Sequence, residues 1–406
     1  MYLTHLSLTN FRIFSRLDMD MPRRILLLLG SNAQGKTSLL EAIYFLATFT
    51  SFHAHNDRQL LNFIATRDAL CVARIVANYD RGDRLHRLEV RLIQDSAADG
   101  SSRLRKEVLL DGVKSSINQV VGHFNAVIFL PQMTRILEGG PEERRRYLNL
   151  ATAQADPLFT QALSEYNQAM SQRNALLRLI GEKGGDYSQL DYWDGLISSR
   201  GARIIHSRIR AIQEIEQIAA RIHDQLTGST EVLRLFYQPS YDPLQKTEEH
   251  GQLPIQGTVK REGFSIDQIR VGLIEKLKEK RSEEIARGVT TLGPHRDEMR
   301  VLCNGIDLSD YGSRGQIRTA LLSLKLAEVD WLKQKTGQWP VLLLDETLAE
   351  LDIQRRQYLL KVLERAEQAI LTTTDMNLFP PGFVEKCDRW QIRGGSVAEY
   401  VSDGDE

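Results

Sequence analysis

Gly30-Ser31-Asn32-Ala33-Gln34-Gly35-Lys36-Thr37 and Val341-Leu342-Leu343-Leu344-Asp345-Glu346 are the stretches that decide the fold. The first fits G-x-x-x-x-G-K-[ST]. An apolar run at 25–29 precedes it, and Leu39, Ile43 and Leu46 follow at helical spacing. Strand, loop and helix in that order suit a phosphate: glycines let backbone N–H groups curl around it, and the helix N-terminus adds a favourable dipole. The cradle then comprises Gly30, Ser31, Asn32, Ala33, Gln34, Gly35, Lys36, Thr37 and Ser38. Lys36 is placed to reach the β- and γ-phosphates and Thr37 to hold Mg²⁺. The second stretch is a buried strand that delivers two carboxylates at its C-terminal end. Asp345 suits the metal's outer shell, and Glu346 suits orienting an attacking water. Together the two stretches predict ATP binding with Mg²⁺, and Lys36, Asp345 and Glu346 as the catalytic set.

Both motifs must meet for such a site to work, yet they lie about three hundred residues apart. The intervening chain is therefore an insertion, and the nucleotide-binding part is closed by both ends of the polypeptide. With 406 residues, 42% of them apolar, and 11 prolines, the chain has the material for a substantial core. No apolar run approaches the roughly 18 residues that span a bilayer, which argues against a membrane partner. The N-terminus alternates like a strand and lacks the pattern of a signal peptide, so a cytoplasmic location is expected. Cys71, Cys303 and Cys387 are scattered, without disulfide or metal-ligand spacing.

A formal net charge of −1 does not advertise a polyanionic partner, but net charge hides local stripes. Residues 196–212 carry four arginines and no acid. Arg200, Arg203, Ser207 and Arg210 share one helical face. A solvated surface and a phosphate-tracking stripe both account for that pattern.

Alternating strands are predicted at 3–8, 25–29, 72–79, 85–93, 108–110 and 126–130, with a hairpin turn at Asp111-Gly112 and an exposed loop at 95–102. From Pro141 the texture becomes helical. Leu163, Tyr166, Met170 and Leu177 form an apolar stripe, Gly184-Gly185 breaks the run, and a second long helix covers 190–226. Those two are expected to pair antiparallel. A strand at 232–237, a loop to 263 and a charged helix at 265–287 follow. The last third reads as α/β, with helices at 315–335 and 353–366 and strands at 341–344 and 369–373. The unalternating 341–344 run implies a sheet covered on both faces, hence parallel. The fold class is thus α/β, with domains at 1–140 plus 288–406 and at 141–287. The tail, 401–406, is expected to be loose.

These residues resemble the ABC-type ATPases of DNA maintenance, and within them the RecF family, from Asn10-Phe11-Arg12 to Thr374-Asp375. Arg287-Gly-Val-Thr-Thr-Leu-Gly293-Pro294-His295-Arg296-Asp297 looks like a family motif, as do Gly139-Gly-Pro-Glu-Glu-Arg-Arg145-Arg146 and Gln172-Arg173-Asn174. Ser313-Arg314-Gly315-Gln316-Ile317-Arg318 resembles the family's ABC signature, and Glu350-Leu351-Asp352 its D-loop. The resemblance implies an ABC-type ATPase head with an inserted helical lobe. It also implies an ATP-dependent homodimer in which Ser313, Gly315 and Gln316 of one subunit close on the nucleotide held by the other. Slow hydrolysis then releases the dimer.

By resemblance, the substrates are single- and double-stranded DNA at gaps and junctions. The partners are RecO and RecR, and the outcome is RecA loading and the SOS response. Gln132 stands where ABC ATPases carry a metal-sensing glutamine, and Arg12 is placed near the nucleotide. Ala33 and Ser38 depart from the common glycine and asparagine, and Thr374-Asp375 occupies the place of a γ-phosphate-sensing histidine. Glu346 stands where the family often has a second aspartate. An SMC-like scaffold, in which ATP only sets the oligomeric state, and a transporter ATPase subunit are the competing readings.

Overall fold

A computed structural model of the chain describes residues 1–96, 102–244, 261 and 263–399. Part of the loop expected at 95–102, most of the one expected up to 263, and the tail lie outside them. Contacts divide the chain into two compact units, Met1–Met133 with Glu328–Glu406, and Thr134–Ala327. One boundary falls inside the helix Arg314–Thr336, so the stretch 288–327 groups by contact with the helices rather than with the chain ends.

The first unit contains two six-stranded sheets. One has the spatial order Ser396–Glu399, Cys387–Arg393, Ile25–Leu29, Ala369–Thr373, Val341–Asp345, Ala126–Phe129, and its last five strands are parallel. Ile25–Leu29, Val341–Asp345, Ala369–Thr373 and Ala126–Phe129 are buried at every position, as unalternating apolar runs require. The other sheet is antiparallel. Leu6, Leu8, Ile75, Ala77, Val90 and Leu92 line its buried face. The helix Lys36–Thr48 packs against strands of both sheets, and 11 of its 13 residues are buried. A helix apolar on nearly all sides has that as its natural environment.

The second unit is mainly helical, with a three-stranded antiparallel sheet, Ile306–Asp307, Glu298–Cys303 and Leu233–Gln238. The helix Pro157–Lys183 packs against Leu190–Thr227, and Ile266–Arg287 packs on both. Helix 141–183 is not continuous: Pro141–Ala155 ends, Asp156 accepts the N–H of Leu158, and Pro157 opens the next helix. The buried face of that second helix is also rotated from the expected stripe. Leu163 and Met170 are half-buried, and the core face reads Phe159, Ala162, Tyr166, Ala169, Arg173, Leu177, Ile180.

The arginine at its centre explains two of the sequence motifs. Arg173 donates to Asp194 (2.6 Å), Glu284 (2.6 Å) and Thr290 Oγ1 (2.9 Å), and all three charged groups are fully buried. Asn174 accepts the N–H and hydroxyl of Thr290 at 2.8 and 2.7 Å. Glu284 accepts the N–H of Thr291 at 2.6 Å. Further along, Asp297 receives Arg208 Nη1 (3.0 Å), the Ser240 N–H (2.9 Å) and the Tyr237 hydroxyl. His295 sits between the Tyr166 hydroxyl (2.7 Å) and the Thr290 carbonyl (3.0 Å). Among the described residues, no helix is long and apolar enough to cross a membrane.

Candidate nucleotide site

Three neighbouring parallel strands carry the site. Ile25–Leu29 ends in the phosphate loop, Val341–Asp345 ends in the carboxylates, and Ala369–Thr373 lies between them. Their C-terminal ends share one sheet edge, where open α/β sheets place ligands. Gly30 (φ 157°) must be glycine, because a Cβ there would lie 2.6 Å from the Ile392 carbonyl oxygen. Gln34 ties the loop to the Gly394-Gly395 turn: its Oε1 accepts the Gly394 N–H at 2.6 Å and its carbonyl accepts the Gly395 N–H at 3.2 Å. Ala33 takes a left-handed φ of 63°, so the departure from glycine leaves local strain of about 1–2 kcal/mol in the loop. Ser31, Asn32 and Ala33 are exposed, and Ser38 is half-buried in the first helical turn. The helix beginning at Lys36 leaves its first N–H groups without intrahelical partners.

Thr37 and Asp345 meet as the motifs predict. Thr37 Oγ1 donates to both carboxylate oxygens of Asp345, at 2.8 and 3.0 Å. A hydroxyl and a carboxylate form a hard-oxygen donor pair, the kind that Mg²⁺ takes alongside waters and phosphate oxygens. Thr372, on the middle strand, donates to Asp345 Oδ1 at 2.7 Å and accepts the Glu346 N–H at 3.2 Å. Sequence reading missed Thr372; only its place on the strand next to the carboxylate strand could have signalled it.

Glu346 also adopts the left-handed region, φ 49° and ψ 18°, a strained setting for a non-glycine residue. That kink aims its carboxylate at Lys36, with Nζ and Oε1 3.0 Å apart. Lys36 also donates to the Gly30 carbonyl at 2.5 Å and is almost wholly buried. The lysine is therefore held over the loop by an acid and a carbonyl, at the place where phosphate oxygens would replace them.

Gln132 is exposed in the turn after Ala126–Phe129. That strand pairs with Val341–Asp345 in register, Phe129 opposite Leu344, so Gln132 lies beyond the same sheet edge. Arg12 is committed elsewhere: Nε and Nη2 each lie 2.7 Å from Glu41, and Nη1 donates to the Gln59 carbonyl at 2.8 Å. It braces the helix after the loop.

Ser313, Gly315 and Gln316 belong to the second unit. Ser313 and Gln316 form a reciprocal capping box at the start of the helix Arg314–Thr336: Ser313 Oγ accepts the Gln316 N–H at 3.2 Å, and Gln316 Oε1 accepts the Ser313 N–H at 3.1 Å. Ser313, Arg314 and Gly315 are exposed at that positive helix end. The arginine stripe is partly engaged within the unit. Arg200 pairs with Glu165, Arg203 with Asp156 at 3.1 Å, and Ser207 donates to Asp156 at 3.2 Å, whereas Arg210 is exposed. Arg144 is buried and forked onto Glu298 at 2.7 and 2.8 Å.

The sequence model of the RecF/RecN/SMC N-terminal domain matches residues 2–388. The chain belongs to that family. The DNA replication and repair protein RecF of Roseiflexus castenholzii is 36% identical over 407 residues, covering 98% of this chain and 99% of its own. RecF of Chloroflexus aurantiacus is likewise 36% identical over 407 residues, with the same coverage. The solved structure of the recombination mediator protein RecF with ATP in the RecFOR pathway is similar with a TM-score of 0.82 and 29% identity, covering 98% of each chain. An SMC head domain from Pyrococcus furiosus is similar at a TM-score of 0.50 and 15% identity, a likeness of fold. The fold is that of an ABC-type ATPase head in this RecF/SMC family.

Proposed function

We propose that the chain is an ATP-switched DNA repair and replication-restart factor of RecF type. It would dimerise on ATP, bind single-stranded and gapped duplex DNA, and support RecA loading and the SOS response with RecO and RecR. The observation that carries this reading is the constellation Lys36–Glu346 and Thr37–Asp345–Thr372, set at one sheet edge in a chain similar over 98% of its length to an ATP-bound RecF. The working head would be 1–140 with 288–406, and the arm 141–287.

Each residue then has a defined task. Lys36 exchanges the Gly30 carbonyl and Glu346 for phosphate oxygens. Thr37 and Asp345 would hold Mg²⁺, which neutralises phosphate charge, with Gln132 beside it as a metal-sensing group. Glu346, released from Lys36, orients the attacking water. Ser313, whose hydroxyl proton is not engaged by its cap, and the N–H groups at Gly315 and Gln316 offer an anion site to a nucleotide on a second copy. Slow turnover fits the absence of histidine at Thr374-Asp375. On the DNA side, Arg210 is open to a phosphate, while Arg200 and Arg203 would exchange their acids for one.

Replacing Lys36 with Met removes a charge-assisted contact of about 1.5–3 kcal/mol to phosphate. ATP binding should weaken about 10- to 100-fold, and light scattering should show the variant monomeric at ATP concentrations that dimerise the parent chain. ATP-driven dimers persisting in K36M would contradict the switch. Affinity for a gapped duplex, followed by fluorescence anisotropy, should fall linearly on a log–log plot against salt, with a slope of about −0.7 to −0.9 per phosphate neutralised. Binding indifferent to salt would remove backbone phosphate as the target.

A further inference from the structure

The helix Leu190–Thr227, the stretch leading into Leu233–Gln238 and the end of the strand Glu298–Cys303 bring three dissimilar side chains together behind the signature residues. His223 and Cys303 are buried, Glu231 is half-buried, and one ligand atom from each lies within 4.8 Å of the others.

Hydrogen bonds hold the His223 ring at both nitrogens. Ser323 Oγ donates to the Thr319 carbonyl at 2.8 Å and lies 3.1 Å from His223 Nδ1, for which it is an acceptor when Nδ1 carries the ring proton. His223 Nε2 faces Glu231 Oε2 at 3.2 Å. In that tautomer the Nε2 lone pair faces a carboxylate, a pairing that either a proton or a metal ion completes.

Cys303 favours the metal. An imidazolium–carboxylate pair needs no thiol, whereas imidazole nitrogen, thiolate sulfur and carboxylate oxygen are together a zinc donor set. A bound metal displaces the thiol proton of such a ligand outright. In the same tautomer the Nδ1–H donated to Ser323 is the outer hydrogen bond by which metal-bound histidines are oriented.

We infer that His223 Nε2, Glu231 and Cys303 Sγ form a site for a borderline-soft divalent cation, with zinc as its natural occupant. Water takes the fourth position, since the Glu231 side chain is 22% exposed. The other oxygen of that carboxylate, Oε1, accepts Gln316 Nε2 at 3.1 Å. An ion on Oε2 therefore immobilises the group against which Gln316 rests, and with it the Ser313–Gln316 cap. This link to the nucleotide switch rests on the function proposed above; occupancy of the site by metal does not.

The full chain, stripped with a chelator and titrated with Co²⁺ as a spectroscopic stand-in for zinc, tests the assignment. One equivalent should bind with tetrahedral visible bands and a thiolate-to-cobalt charge-transfer band, and Zn²⁺ should bleach both. C303S should lose the charge-transfer band, and S323A, which keeps all three ligands, should weaken binding about 10- to 100-fold. K36M should keep the full spectrum, so a failed nucleotide switch and a failed metal site give different results. Absence of the charge-transfer band from the parent chain, or its survival in C303S, would overturn the assignment.

Discussion

Changing Glu346 to Gln should lower ATP turnover about 100- to 10,000-fold while leaving ATP bound and the proposed ATP-dependent dimer intact. Glu346 is held in a left-handed conformation at the end of the carboxylate strand, its N–H on Thr372 and its carboxylate 3.0 Å from Lys36. Glutamine preserves the length and the backbone but cannot take a proton from water. It also removes the carboxylate that competes with phosphate for Lys36, so ATP affinity should stay level or rise. Phosphate release measured alongside light scattering separates the two effects. A long-lived ATP dimer that hydrolyses poorly is the expected outcome, and DNA repair should fail with it if release of the dimer matters. If repair is unimpaired in E346Q, ATP sets the oligomeric state and nothing more, as in the scaffold reading. Turnover at the parent rate would remove Glu346 from the chemistry altogether.

The meeting of the two motifs was legible in the sequence because the logic of each is local. A glycine loop between an apolar strand and a helix, and an apolar strand ending in two acids, each state their chemistry in eight residues or fewer. What joins them is less visible. Thr372 sits in an ordinary strand, and nothing in its neighbours marks it as a ligand of Asp345; only strand order does. Strands with mixed burial escaped for a related reason. Phe14–Asp20 buries only Phe14 and Leu17, three apart, which breaks the period of two. Cys387–Arg393 is polar along most of its length and is held by pairing with Ile25–Leu29 and Ser396–Glu399. Asp156-Pro157 did carry a signal, an N-cap followed by proline, that a continuous helical reading passed over.

The arm shows a different limit. Its motifs are rich in arginine, and arginine in a chain similar to DNA replication and repair proteins invites an electrostatic reading. Yet Arg144, Arg173 and Arg208 are buried on acids of the same unit. A hydrophobicity pattern places arginine outside, and so it rotated the face of Pro157–Lys183 away from its true core. Arg173 is fully buried because Asp194 and Glu284 reach it from two other helices, and no spacing within one helix announces that.

Arg173→Met is accordingly the substitution expected to damage stability most. The methionine fills much of the same volume but leaves Asp194 and Glu284 buried without their shared cation. Asp194 retains Arg281, at 2.6 and 2.9 Å, so its loss is partial. Glu284 keeps only the N–H and hydroxyl of Thr291, at 2.6 and 3.0 Å, among its described partners. Breaking a buried ion pair from one side costs about 3–5 kcal/mol, because the stranded charge is not resolvated. The urea midpoint of the helical signal, read by circular dichroism, should fall accordingly. R173M combined with E284Q should recover part of the loss by neutralising the stranded acid, a coupling that a purely volumetric defect would not show. A loss below about 1 kcal/mol for R173M is the range of exposed ion pairs. It would mean that water reaches the network, and that the three helices are held by their apolar faces alone.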